Sequence, residues 1–231
     1  MMKLVFEGHA CFRVISQDTE ILIDPYISGN AQCKKPISAF RPDLILLTHG
    51  HNDHVGDALP IARAAHAKLA AQADLLKALD VEGIDTVGFN MGGSFRFHDV
   101  KITMVPAWHG SAVSTPNGPG YGGIACGYII NDGRFKVYHA GDTALFGDMA
   151  SVLSRYALDC ALLPVGDYYT MGPEDAIIAA HWLKAPVVIP MHYNTWPMIA
   201  QDIDAFKEEM ESKTESRCVV LAPGGEYELK R

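Results

Sequence analysis

Asp43-Leu44-Ile45-Leu46-Leu47-Thr48-His49-Gly50-His51-Asn52-Asp53-His54 joins a continuous apolar run to three histidines and an aspartate. An apolar run that does not alternate suits a central strand buried on both faces. The polar cluster therefore begins where a rigid element ends, a place that holds side chains firmly while leaving them open to a ligand. In extended backbone alternate side chains share a face, so His49 and His51 can hold one cation together. Asp53 and His54, at the turn into a helix, can be aimed at a second position nearby. The competing reading is a solvated polar loop, and so dense a set of imidazoles weighs against it.

Outward from this stretch, the N-terminal side reads as short strands, KLVFEG, CFRVIS and EILIDP, separated by Gly-His-Ala and Gln17-Asp18-Thr19 turns. On the C-terminal side, Ala/Leu-rich helices near 57–66 and 72–79 flank KLAAQ as a short strand, followed by the strands DTVGF, SFRFHD and VKITMVPA. Residues 110–123 are Gly-, Pro- and Ser-rich and read as a loop, a pocket rim or lid. The second half repeats the logic without repeating the sequence. IACGYIIND and FKVYHAG flank the hairpin signal Asp132-Gly133, and an irregular helix over 144–156 leads to a buried run at Cys160–Val165. Pro173 with Glu174 and Asp175 starts a helix well, because proline tolerates the first turn and acids complement its dipole. APVVIP, a charged helix near 198–213 and a terminal β pair, RCVVLAP with EYELK, complete the chain. No Ser/Gly linker divides it, so residues 1–231 read as one domain of two similar halves. Strand runs with helices at intervals imply two packed sheets with helices outside.

The chain has 231 residues, 48% of them hydrophobic, enough for a sizeable core. With 27 acidic against 19 basic residues the net charge is -8, which opposes adhesion to nucleic acid or anionic lipid. The five cysteines are odd in number, scattered and never in a CxxC, so they read as small buried hydrophobes. The N-terminus lacks the uninterrupted apolar core of a signal peptide, and no window approaches the roughly 18 apolar residues of a membrane span. A soluble, reducing, cytoplasmic setting is the expectation. The excess lies in histidine, 10 in all with no tag-like run.

Four ligands from one loop cannot surround two cations, so others must come from distant segments. Three candidates follow apolar runs: His109 after Val105-Pro106-Ala107-Trp108, Asp142 after Tyr138-His139-Ala140-Gly141, and His192 after Val188-Ile189-Pro190-Met191. Singly, each could be a loop histidine, a turn former or a strand-end group. Beside residues 49–54 they are the expected completion, with an Asp able to bridge two cations.

The HxHxDH cluster followed by His109, Gly141-Asp142-Thr143 and His192 resembles the metallo-β-lactamase superfamily of binuclear metal hydrolases. Gly8-His9-Ala10-Cys11-Phe12, Ile23-Asp24-Pro25, Pro106-Ala107-Trp108-His109, Tyr169-Thr170-Met171-Gly172-Pro173 and Pro190-Met191-His192-Tyr193-Asn194-Thr195 are similar to its small metal-dependent hydrolase family, related to the ascorbate-phosphate lactonase branch. The resemblance covers essentially the whole chain. It implies an α/β fold, a four-layer αββα sandwich with the site at one edge of the two sheets. It further implies that His49, His51 and His109 bind a first divalent ion, that Asp53, His54 and His192 bind a second, and that Asp142 bridges. Zinc is the family's usual metal, with manganese, iron or nickel in relatives, and nitrogen and oxygen ligation without thiolate does not choose among them. Relatives with redox-active diiron sites replace the second histidine of the cluster by Glu, so His51 argues for hydrolysis.

The implied chemistry is attack of a metal-bridging hydroxide on an ester, lactone or phosphoester of a small molecule, with Asp53 orienting it or moving its proton and Asp142 holding the ions together. His9 either lines the pocket, bonds to a ligand or serves the turn. Asp24 supports the ligand loop in relatives. Trp108, Tyr193, Asn194, Thr195 and Trp196 flank ligands and are candidates for shaping the pocket, with Tyr168–Met171 as the opposite rim. His66, His98, His139 and His181 read as structural. Two other functions remain in view: a phosphodiesterase of the RNA-processing type, against which the acidic balance speaks, and a non-catalytic metal- or ligand-sensing module, against which the full ligand set speaks. A homo-oligomer is compatible with the sequence but not demanded by it.

Overall fold

The computed structural model describes residues 1–230. Its first half runs β1 (Met2–Gly8), β2 (Cys11–Ser16), β3 (Thr19–Ile23), β4 (Leu44–Leu47), α1 (Asn52–Val55), α2 (Ala58–Ala65), β5 (Lys68–Gln72), α3 (Ala73–Ala78) and β6 (Thr86–Phe89). There follow β7 (Ser94–Phe97), β8 (Val100–Pro106), β9 (Ala112–Thr115), β10 (Gly118–Tyr121), β11 (Cys126–Asn131) and β12 (Lys136–His139). The last third holds α4 (Asp148–Ser151), β13 (Cys160–Pro164), α5 (Pro173–Leu183), β14 (Val187–Met191), α6 (Ile203–Lys213), β15 (Arg217–Cys218) and β16 (Glu226–Leu229).

Two seven-stranded sheets form, ordered β16-β1-β2-β3-β4-β5-β6 and β15-β14-β13-β12-β11-β8-β7. Each combines an antiparallel meander, β1-β2-β3 or β8-β11-β12, with parallel strands joined through helices. The halves thus share a plan, as the sequence suggested. Side-chain alternation builds the layers. Ile21, Ile23, Leu44, Leu46 and Ala70 join the core between the sheets, whereas Leu22, Ile45, Leu47, Leu69 and Ala71 join a second core under α2 and α3. The buried face of α5, Ala176, Ile177, Ala179, Ala180 and Leu183, closes the other side. The result is the expected αββα sandwich.

The sheets are also stitched by polar bonds. The Tyr128 hydroxyl donates to the Leu47 carbonyl at 2.6 Å and the Cys126 amide to the Thr48 carbonyl at 3.0 Å, near the site. At the opposite end Ser16 donates to Asp132 at 2.7 Å. No helix among the described residues is long and apolar enough to cross a membrane.

Three expectations need correction. Residues 110–123 are largely a β9–β10 hairpin, in which Thr115 pairs with Gly118 and Ala112 with Tyr121; the glycines hide strand character that pairing imposes. RCVVLAP and EYELK do not pair with each other: β15 joins β14 and β16 joins β1, one in each sheet. The charged helix begins only at Ile203, because the Asp202 side chain caps it by accepting from the Ala205 amide at 3.0 Å.

Candidate metal centre

β1, β3 and β4 share one direction in their sheet and β8, β12 and β14 in theirs, and the residues that follow their carboxyl ends meet at one edge of the sandwich. His9, Asp24, His49–His54, His109, Asp142 and His192 follow those ends. Carboxyl ends of strands are where open α/β sheets gather ligands.

His49 Nε2 lies 3.0 Å from His51 Nδ1, which is 3.3 Å from His109 Nε2. Ligand atoms of His9, Asp53, His54 and His192 form a second group, and those of His49, His54 and Asp142 a third, each spanning no more than 4.8 Å. Asp142 Oδ2 stands between the outer two: 3.6 Å from His109 Nε2, 3.2 Å from His54 Nε2 and 3.0 Å from His192 Nε2. All seven residues implied as ligands are thus brought together.

One buried carboxylate orients the ligand loop. Asp24 accepts from the Thr48 amide at 2.8 Å through Oδ1, and from the Thr48 hydroxyl at 2.6 Å and His54 Nδ1 at 2.8 Å through Oδ2. His49 Nδ1 lies 3.0 Å from the same Thr48 hydroxyl, which has given its proton to Asp24 and so accepts. Both imidazoles hold a proton on Nδ1, so Nε2 is the nitrogen each turns inward. His54 Nε2 and Asp142 Oδ1 are buried without a hydrogen-bond partner. Orphaned buried donor atoms of this kind are costly in a native fold unless something binds them, and imidazole with carboxylate is a donor set suited to divalent ions. The residues fit a metal.

His9 is fully buried, with φ +57°. Its Nε2 is 3.1 Å from Asp53 Oδ2 and its Nδ1 2.8 Å from Thr195 Oγ1. Burial pushes its pKa down to about 4, against the opposing Asp53 contact, so the ring is neutral near pH 7. Nε2–H donates to Asp53, and the Thr195 hydroxyl donates to Nδ1. With both nitrogens occupied, His9 holds Asp53 rather than a metal. His192 and Asp24 also sit at positive φ, +56° and +46°, and the His192 amide donates to the His9 carbonyl at 2.7 Å. Left-handed backbone at non-glycine residues clusters at functional sites.

The charges are coupled. For Asp53 burial pushes the pKa up, but the His9 hydrogen bond and the charge of His54 outweigh it and hold the carboxyl below the usual range. Asp142 is likewise held low against burial by His192 and His54. Burial pulls His54 down, yet Asp142 and Asp24 more than reverse this. Burial keeps His49, His51 and His109 below the ordinary histidine value. His49, His51 and His109 are thus neutral near pH 7, and a protonated His54 sits between the ionised Asp24 and Asp142.

Gly50 and Gly141 are required by close approach. A Cβ on Gly50 would meet Val113 Cγ1 at 2.7 Å and the Ala112 carbonyl at 2.9 Å, so the β9–β10 hairpin braces the loop between His49 and His51. At Gly141, φ is +62° and a Cβ would lie 2.6 Å from the Cys126 carbonyl. The Trp108 amide donates to Thr143 Oγ1 at 2.9 Å and the Ala144 amide to the Trp108 carbonyl at 3.1 Å, tying the loops of His109 and Asp142 together. Nε2 of buried His139 lies 2.9 Å from the Ala10 carbonyl and its Nδ1 accepts from the Gly141 amide, a structural role.

The donor atoms floor a cavity of about 570 Å³, walled by Tyr26, Tyr169, Trp196 and Met198. Among the flanking candidates, Trp196 lies in this wall, but three do not. The Trp108 side chain is 68% exposed and acts here through its backbone. Tyr193 is buried in the core. Asn194 closes its own turn, accepting from the Gln201 amide and donating to the Gln201 carbonyl. Tyr26 and Met198 carry no chemical signature in the sequence and are found only through folding.

Residues 19–193 match the "Beta-lactamase superfamily domain", a span from β3 through His192 that leaves His9 outside. A "UPF0173 metal-dependent hydrolase" of Pelotomaculum thermopropionicum is 44% identical over 229 residues, covering 99% of this chain and 100% of its own. One of Methanosphaera stadtmanae is also 44% identical, over 231 residues, with 98% and 99% covered. Igni18, described as a novel metallo hydrolase from the archaeon Ignicoccus hospitalis, superposes with a TM-score of 0.86 at 37% identity, covering 99% of both chains. With its motifs, its fold and near full-length relatives in agreement, the chain belongs to the UPF0173 metal-dependent hydrolases of the beta-lactamase superfamily.

Proposed function

We propose that this enzyme holds two divalent ions and hydrolyses an ester, lactone or phosphoester of a small molecule. The observation that carries the reading is the placement of Asp142 Oδ2, within 3.0–3.6 Å of nitrogens from both histidine groups. His49, His51 and His109 would hold one ion and Asp53, His54 and His192 the other, with Asp142 shared. Zinc is the family's usual metal, and nothing in the donor set favours manganese, iron or nickel over it. Ions bound there supply an acidified water and positive charge for a developing oxyanion.

The chain's own residues do the rest. Asp53 reaches the cavity and is kept ionised, so its carboxylate can orient the attacking water by accepting a hydrogen bond from it. His9 and Thr195 fix the direction of that carboxylate. The aromatic wall positions substrate and excludes water from the floor.

The test combines metal analysis with a screen of esters, lactones and phosphodiesters. Wild type should hold close to two ions per chain and turn over at least one class, while His51→Ala and Asp142→Asn lose metal and most activity. A stoichiometrically loaded protein inert toward every class, with His51→Ala indistinguishable from it, would sink the proposal.

A further inference from the structure

The cavity divides by chemistry. Its floor is the donor cluster with Asn52, and above it the polar groups are uncharged, the Tyr26 and Tyr169 hydroxyls and the Trp196 indole N–H. Its wall is Tyr26 after β3, Tyr169 after β13, and Trp196 and Met198 after β14. No lysine or arginine among the described residues lines it.

The wall is preformed. Trp196 packs edge-on against the His9 ring at 4.9 Å and faces Tyr26 at 6.3 Å. The Tyr26 hydroxyl is used internally, donating to the Gly29 carbonyl at 2.6 Å, so it is the ring that faces the cavity. The Tyr169 hydroxyl approaches Met198 Sδ at 3.8 Å, linking two loops across the mouth.

From this division we infer that the substrate carries, beyond its scissile bond, an uncharged alkyl or aryl group that lies against Tyr26, Tyr169, Trp196 and Met198. The inference rests on the hydrolase reading above and narrows its substrate class. A phosphate or carboxylate remote from the scissile bond would sit among ring edges and the Met198 thioether with no cationic partner. Desolvation of an unpaired anion is strongly unfavourable there, and proteins that recognise such groups supply arginine or lysine. An apolar group instead gains from leaving water, by about fourfold per methylene.

The test uses metal-loaded protein and 4-nitrophenyl esters of acetate, butanoate, hexanoate and the anionic hemisuccinate, with 4-nitrophenyl phosphate and bis(4-nitrophenyl) phosphate alongside. Expected is a kcat/KM that climbs from acetate toward hexanoate, with the hemisuccinate at least tenfold below butanoate. Trp196→Ala and Met198→Ala should flatten that climb, through KM more than kcat. Met198 is 53% exposed, so Met198→Lys should fold and raise the hemisuccinate relative to butanoate by tenfold or more. Hemisuccinate cleaved as well as butanoate, or a flat chain-length series untouched by these variants, would overturn the inference alone. No turnover of any ester or phosphate here, nor of any lactone in the screen above, would overturn the hydrolase reading together with it.

Discussion

His9 Nε2 stands 3.1 Å from Asp53 Oδ2, joining the turn between β1 and β2 to the helix that carries the ligand cluster. The bond fixes one oxygen of a carboxylate that is otherwise open to the cavity. His9→Ala removes the donor, and outer partners of this kind are typically worth 10- to 100-fold in metal affinity or activity. The variant should show that loss and, because the hydrogen bond lowers the Asp53 pKa, an acid limb of the pH–rate profile moved to higher pH. His9→Gln, whose amide can still donate, should recover part of both. A chelator competition and a pH–rate profile decide it; a bystander histidine would leave the profile where it was.

Asp24 serves two ligands with one carboxylate, His54 directly and His49 through Thr48. Asp24→Asn keeps the shape but replaces an acceptor oxygen by an NH2 group that cannot receive the protons now pointing at it. The imidazoles then lose their enforced tautomer, and metal affinity should fall 10- to 100-fold. Asp24→Ala leaves buried donors unpaired and should also destabilise the fold, by about 1–3 kcal/mol for each unsatisfied group. Chelator competition and thermal melts of the metal-free proteins separate these effects, and an unchanged affinity for Asp24→Asn would show that the tautomer is set elsewhere.

Gly141 precedes the shared aspartate at φ +62°, with Cys126 O 2.6 Å from where a Cβ would stand. Gly141→Ala meets both a left-handed backbone penalty and a backbone obstacle that no side-chain rotation relieves. The turn after β12 must then move away from β11, and from the Thr48 side chain of the facing sheet, 3.0 Å from the same Cβ. We expect a loss on the order of 2–4 kcal/mol, visible as a lowered Tm, together with weakened metal binding. Gly133→Ala, at φ +86° in an open turn with nothing near its Cβ, supplies the control: it should show the backbone penalty only. Equal losses in the two variants would mean that the close approach to Cys126 contributes nothing.

The floor of the site was legible in the sequence because each donor follows an apolar run, and apolar runs reveal where strands end. The identity of the neighbours across the gap was not. The His9–Asp53 contact depends on how the β1–β2 turn meets α1, a relation with no local signature. The β9–β10 hairpin escaped because Gly118-Pro119-Gly120 has little strand preference of its own and is extended by its partner. EYELK was legible as a strand but its pairing was not, because its partner, β1, lies at the other end of the chain. Tyr26 and Met198 are ordinary loop residues until the fold sets them opposite one another.

Metal-free protein should lose stability on acidification through its buried imidazoles. The folded pKa of His9 is about 4 against 6.5 for the free side chain, and His49 is shifted in the same direction by burial. Between those values the unfolded chain binds more protons than the native one, so stability rises with pH across that window and falls as pH drops through it. Full expression of the His9 shift alone is on the order of 3 kcal/mol. His54 has the opposite sign: its folded pKa is raised by Asp142 and Asp24, so its contribution is complete below 6.5 and fades as pH rises through the folded value. The melting temperature of the metal-free protein should therefore peak near neutrality and fall steeply toward pH 4, with His9→Gln flattening the acid side. Protons and metal compete for the same nitrogens, so adding metal should raise Tm more at pH 7.5 than at pH 5.5. Differential scanning calorimetry across pH 4–9, with and without metal, measures both trends; an acid limb unchanged in His9→Gln would remove His9 from the account.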